Sequence, residues 1–222
     1  MRKKLLTLLL VLAASTGANF AYDFKSGNLC YNILSADNHT VEVTHEEEIY
    51  YKSDRAYFYE FDTVIIPSIV QYNNDQYNVV SIGVMAFSCC DNIKSLTIPN
   101  SVKSINTRAF NHTSVDEVHI QDIESWCAIS FSGYQAYDPY YEQGYTSNPL
   151  HRGAQLFVND SLITDLIIPE EVTSIEQGTF NDCQALPSIN IPKSVSSIEE
   201  KAFEECYCLK DIYCYAQVGA DA

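Results

Sequence analysis

The feature that most constrains this chain is a repeat with a period of 23 residues: Ala86-Phe87 recurs as Ala109-Phe110, and Thr179-Phe180 recurs as Ala202-Phe203. The pairs Ile82 and Ile105, Ile175 and Ile198, and Pro169 and Pro192 keep the same step. The unit reads V-x-S-I-x-x-x-A-F-x-x-C-x-x-L-x-x-I-x-I-P, with copies starting at Val79, Val102, Val172 and Val195. A partial copy stands at Val64-Ile65-Ile66-Pro67. One such unit cannot bury its own apolar face. Units stacked in register give a continuous core, with equivalent residues one above another.

A period of 20–29 residues with one short apolar strand per unit is the signature of leucine-rich repeats. Leu96 and Ile98 alternate, as do Ile189 and Ile191, so each pair points inward from a short strand. The proline that follows cannot donate a ladder hydrogen bond and ends the strand. Val-x-x-Ile-x-x-x-Ala-Phe then turns the chain back, as a compact turn or one helical turn. Phe87, Phe110, Phe180 and Phe203 are expected to form a spine on that side. The predicted fold is therefore an α/β repeat solenoid of leucine-rich-repeat type, with a β-rich N-terminal cap.

Arg2, Lys3 and Lys4 precede an apolar run over 5–14 and small residues up to Ala21, the layout of a secretory signal peptide. The run is too short to span a bilayer, which takes roughly 20 residues. Residues 22–78 have no clear repeat beyond the first partial one and are predicted to form the β-rich cap. The repeat array proper is expected over 79–215, with an irregular insert at 121–163 and a tail at 216–222. In the cap, strands are expected around Cys30 to Leu34 and Thr40 to Thr44. Within the insert, a hairpin is expected between Leu156 and Ile163, turning at Asn159-Asp160.

The formal net charge is −16, with 13 basic and 29 acidic side chains. Loss of 1–21 would remove three basic residues and no acidic ones, giving −19. So acidic a chain disfavours nucleic acid and anionic membrane surfaces as partners. The composition, 46% hydrophobic and 19% charged, suits a folded chain rather than a disordered one.

The units Val172-Thr173-Ser174-Ile175…Phe180…Cys183…Leu186…Ile189-Asn190-Ile191-Pro192 and Val195…Ile198…Ala202-Phe203…Cys206…Leu209 closely resemble BspA-like leucine-rich repeats. The resemblance runs from about Val64 to Tyr215. It implies a secreted or cell-surface repeat protein that acts as an adhesin-like, protein-binding module. The partner implied is an extracellular protein, of a host matrix or of another cell surface. Thr113 stands where the repeat has Cys, and the tyrosine-rich insert is long for the pattern.

The candidates for chemistry are few. Cys90, Cys183 and Cys206 share one offset, three after the phenylalanine, which fits a buried thiol column. Rung spacing would also allow a Cys183–Cys206 disulfide. No paired zinc spacing occurs, so neither metal nor cofactor is expected. Cys127 beside His119 or His151 is the one conceivable nucleophile arrangement, but no nucleophile-elbow glycines or HExxH pattern support it. Trp126 and Cys127 read instead as core of the irregular rung, and the chain is not expected to be an enzyme. The candidate ligand contacts are Tyr134, Tyr137, Tyr140, Tyr141 and Tyr145, gathered in a segment with Gly, Gln and Asp. Tyrosine supplies wide contact area at low entropic cost. The same rings would stack on sugars, making a glycan the alternative partner, or would pack down over a rung. A structural scaffold without its own ligand is the remaining alternative.

Overall fold

The structure, a computed structural model, describes residues 22–46, 61–132 and 147–215. The five candidate tyrosines of the insert lie outside the described residues.

The repeats build two parallel ladders. The I-x-I-P segments form the front ladder, in which strands Thr63–Ile65, Ser95–Thr97, Glu117–Ile120 and Gln155–Val158 pair in that order. Their inward residues Val64, Leu96, Val118 and Leu156 stand in register and are buried. The V-x-S-I segments form a side ladder from Asp75–Ile82, Ser104–Ile105 and Ser130–Phe131, stacking Ile82, Ile105 and Phe131. The cap extends this side ladder, as Thr40–Thr44 pairs parallel to Asp75–Ile82. Leu29–Ser35 and Phe24–Ser26 follow beyond it.

Both ladders are interrupted once. Gln155–Val158 turns through Asn159 (φ 48°) and Asp160 (φ 60°) into Ser161–Leu162 and pairs with it antiparallel. Two consecutive positive-φ residues favour a tight hairpin whose twist matches its strands. The returning strand occupies the free side of Gln155–Val158, so Asp165–Ile167 starts a new three-stranded sheet with Ser188–Ile191 and Asp211–Cys214. The side ladder resumes with Ser174–Ile175 and Ser197–Ile198.

The α/β expectation is corrected: the architecture is β-rich. Among the described residues the helices are Ile123–Cys127 and a three-residue 3-10 turn, His151–Gly153. The returning segments are not helical because their backbone donors point sideways. Phe87 N–H bonds Ala109 O at 2.8 Å, Cys89 N–H bonds Asn111 O at 2.8 Å, and Phe180 N–H bonds Ala202 O at 2.9 Å. Each such segment also carries two left-handed residues: Met85 and Cys89, Arg108 and His112, Gly178 and Asp182, Lys201 and Glu205. A left-handed residue every four positions cannot propagate an α-helix. The phenylalanines that follow the first of these turns stack in two pairs, one before and one after the interruption, where a single spine of four was expected. Phe87 stacks on Phe110 with centroids 5.4 Å apart, and Phe180 on Phe203 at 5.3 Å.

The shared Cys position also has a local reason. Cys206 Sγ donates to Phe180 O of the preceding rung at 2.8 Å. Thr113 Oγ1 donates to Phe87 O in the equivalent place and accepts from Cys90 N–H at 3.1 Å. A small side chain with a donor is what the site selects, so Thr and Cys exchange. Thr113→Val should cost roughly 1–3 kcal/mol in denaturant titration, since it removes both buried hydrogen bonds of the Thr113 hydroxyl. Thr113→Cys should recover part of that loss.

Candidate interaction surface

Along the front ladder the residue between each inward pair points away from the core, because strand side chains alternate. These are the x positions of the I-x-I-P motif. Before the interruption they are Ile65, Thr97, His119 and Phe157, placed side by side by the strand register. After it they are Ile167, Asn190 and Tyr213. Ile65 and Ile167 are each 66% exposed between buried neighbours, and Tyr213 is 51% exposed on a strand that is exposed throughout. Leu162, on the hairpin between the two groups, is also exposed. The front face thus carries a broken stripe of outward apolar and aromatic side chains.

Carboxylates border the stripe. His119 stacks on Phe157 with centroids 4.7 Å apart. Its Nε2 lies 3.3 Å from Glu117 Oε2 and its Nδ1 lies 3.4 Å from Asp160 Oδ1. Asp165, which accepts from the Ser188 hydroxyl, and Asp211 occupy the next outward column. Lys94 faces Asp116 at 3.7 Å in an exposed pair that contributes little to stability. An apolar stripe with an acidic border suits a partner that is apolar at its centre and basic at its margin.

The residues weighed for catalysis are not assembled. Cys127 is buried with Trp126, and burial pushes its thiol up to about 12, far from a thiolate at neutral pH. His119 faces the two carboxylates on the front face. His151 is buried and its Nδ1 sits 2.8 Å from Asn148 O. All eight cysteines are thiols. Among the described residues no group of three or more His, Cys, Asp or Glu is placed to hold a metal ion. Trp126 and Cys127 serve the core of the irregular rung. Trp126 Nε1 donates to Thr179 O at 3.2 Å, and Asn148 Nδ2 donates to Gly178 O and Thr179 O at 2.8 and 2.9 Å.

Burial lowers the His151 pKa against the opposing pull of its bond to Asn148. Below the ordinary histidine value of about 6.5 the unfolded chain takes up a proton that the folded chain refuses, so stability falls as pH drops through that value. The slope contributed is at most about 1.4 kcal/mol per pH unit. The fall in melting temperature from about pH 7.5 to about pH 5.5 should be smaller in His151→Leu than in the parent.

The outward x positions carry no consensus residue, so repeat matching passes over them. Strand alternation applied to the same motif marks them all.

A model of the BspA-type leucine-rich-repeat region matches the sequence in six copies over residues 56–137 and 152–219. No protein of curated function matches it. Among solved structures, a leucine-rich cell-surface protein of Faecalibacterium prausnitzii is similar at 25% identity and a TM-score of 0.50, over 92% of this chain and 56% of that one. A leucine-rich-repeat protein of Bacteroides ovatus is 21% identical with a TM-score of 0.36, over 86% of this chain and 53% of that one. A leucine-rich-repeat protein of T. pallidum is 18% identical with a TM-score of 0.45, over 86% of this chain and 81% of that one. The chain spans little more than half the length of the first two. With six copies of the repeat covering most of its length, the chain belongs to the BspA-type leucine-rich-repeat proteins.

Proposed function

We propose that this protein is a secreted or cell-surface binding module that recognises another extracellular protein, in the manner of an adhesin, through the front face of its repeats. The observation that carries the reading is the stripe of outward side chains at the x positions. Ile65 and Ile167 spend apolar surface on solvent between buried strand neighbours, and the half-buried Phe157 and the exposed Tyr213 stand in the same outward columns. Exposed apolar stripes with polar borders are characteristic of interaction sites. The ladder holds them rigid, which lowers the entropic cost of association. The leader-like sequence at 1–21 supports export, and the cell-surface naming of the Faecalibacterium prausnitzii relative agrees with it. Among the described residues no helix is long and apolar enough to cross a membrane.

The test is binding of the full chain to a panel of matrix proteins and glycans at low and physiological salt. Ile167→Asp and Tyr213→Ala should each weaken protein binding at least about tenfold, as for anchors at the centre of an interface. Association should slow as salt rises, because the acidic border steers the encounter. A variant with Tyr137, Tyr140 and Tyr141 changed to Ala separates the contribution of the tyrosine-rich segment. Binding that the insert variant loses and the front-face variants keep would move the site to the insert. Binding that survives all of them removes both surfaces from the reading.

A further inference from the structure

Among the described residues the front ladder ends at Thr63–Ile65. Thr63–Ile65 pairs with Ser95–Thr97 on one side only. Among the described residues the cap continues the side ladder past this level and adds no strand to the front one. In a parallel pair, alternate residues turn both backbone groups to the same neighbour. Asp62 O accepts from Ser95 N–H, and Ile66 N–H bonds Thr97 O at 3.0 Å, so 62, 64 and 66 face the array. Thr63 and Ile65 therefore point their N–H and C=O groups the other way, and these have no backbone partner among the described residues.

They point into a notch of about 650 Å³ between this strand and the cap, walled by the turn at Gly27 and by Leu29, Tyr31, Phe61, Ile69 and Val70. One residue of a strand inside a sheet stack occupies roughly 160 Å³, taking a rise of about 3.3 Å, a strand spacing of about 4.8 Å and a layer thickness of about 10 Å. The notch thus holds about four residues, the length of the three- and four-residue strands beside it. Among the described residues its lining has no charged side chain, and its mouth exposes Ile65 and Ile69. At one end stands the exposed carboxylate Asp62, on a chain of net charge −16.

We propose that this notch, which adjoins the front face and shares Ile65 with it, is a peptide-binding site that takes an extended segment of a partner protein as an added strand. The ligand class is a stretch of about four residues with β-branched or aromatic side chains alternating, flanked by Lys or Arg. Its backbone pairs with Thr63 and Ile65. Its inward side chain continues the column begun by Val64, against Tyr31 and Val70. Its basic flank meets Asp62. Strand addition of this kind takes affinity from the main chain and specificity from alternate side chains.

The probe is a fluorescein-labelled, amide-capped Lys-Thr-Val-Thr-Val-Lys peptide, titrated with the full chain and followed by anisotropy. A matched peptide carries N-methyl groups on alternate amides. Ile65→Pro deletes one N–H that faces the notch and leaves the bonds of Asp62 and Ile66 to the array in place. Proline is tolerated on an edge strand in that orientation. Ile69→Lys, at an exposed position, adds a charge that repels the basic flank. The plain peptide should bind saturably. Affinity should fall at least about tenfold with Ile65→Pro, with Ile69→Lys and with the methylated peptide, while the variants keep the parent melting temperature. No binding up to millimolar protein, or equal binding by both peptides, would overturn the proposal. So would a concentration-dependent dimer in sedimentation that Ile65→Pro abolishes, because the occupant would then be a second copy of this chain. If Ile65→Pro melts early, Ile69→Lys and the methylated peptide decide alone. None of these outcomes bears on Ile167 or Tyr213, so the front-face reading stands or falls separately.

Discussion

Phe110→Ala should lower the stability of the chain by about 3–5 kcal/mol, the range for removing a fully buried phenylalanine. Phe110 is fully buried and lies face to face with Phe87. Its removal empties one level of the stack that Phe110 forms with Phe87 inside the core. The same change at Phe203 is the internal control. Phe203 stacks on Phe180 but is only partly buried in the last rung, so its truncation should cost clearly less. Chemical denaturation of both variants gives the comparison. Equal losses would mean that the terminal rung is as tightly covered as the interior ones.

The second large effect is expected at Asn148. In the regular rungs, Ala109 O and Ala202 O accept from the Phe N–H of the rung before, Phe87 and Phe180. Thr179 O is their counterpart at the interruption. Trp126 Nε1 and Asn148 Nδ2 donate to it, and the Asn148 carbonyl oxygen holds Leu150 N–H at 2.9 Å. Asn148 is wholly buried. Asn148→Ala removes three hydrogen bonds at the level where both ladders are already broken, and a loss of about 2–4 kcal/mol follows. Repeat arrays owe their cooperativity to the contacts between neighbours. The variant should therefore unfold in two steps, with the rungs after Asp165 separating from those before Val158. A single transition at nearly the parent midpoint would show that packing alone couples the halves.

The repeat period, the inward columns and the phenylalanine stacking were legible in the sequence because each depends on residues that recur at a fixed step. The hairpin at Asn159-Asp160 was legible for the same local reason, since both residues tolerate positive φ. The helical half of the expected α/β fold failed. The segment Val-x-x-Ile-x-x-x-Ala-Phe has a spacing compatible with a helical turn, and nothing local says where its N–H groups go. The neighbouring rung decides that, by accepting them at positions 22 residues away, as Ala109 O does for Phe87 N–H. The role of Asn148 was likewise invisible. It lies beside the tyrosine-rich segment in sequence, and only folding brings it against Thr179.

The sequence by itself determined the stack: which residues lie inward, how often the chain turns, and which family it belongs to. The tertiary structure alone decided what the stack presents. Ile65, Phe157, Ile167 and Tyr213 are unremarkable one by one, and become a surface only when strand register sets them side by side. The notch beside Thr63 and Ile65 has the same origin, because it is a strand position open among the described residues, between two elements that no local rule relates. Periodicity records what each residue does within its own unit, whereas a binding surface is a property of several units at once.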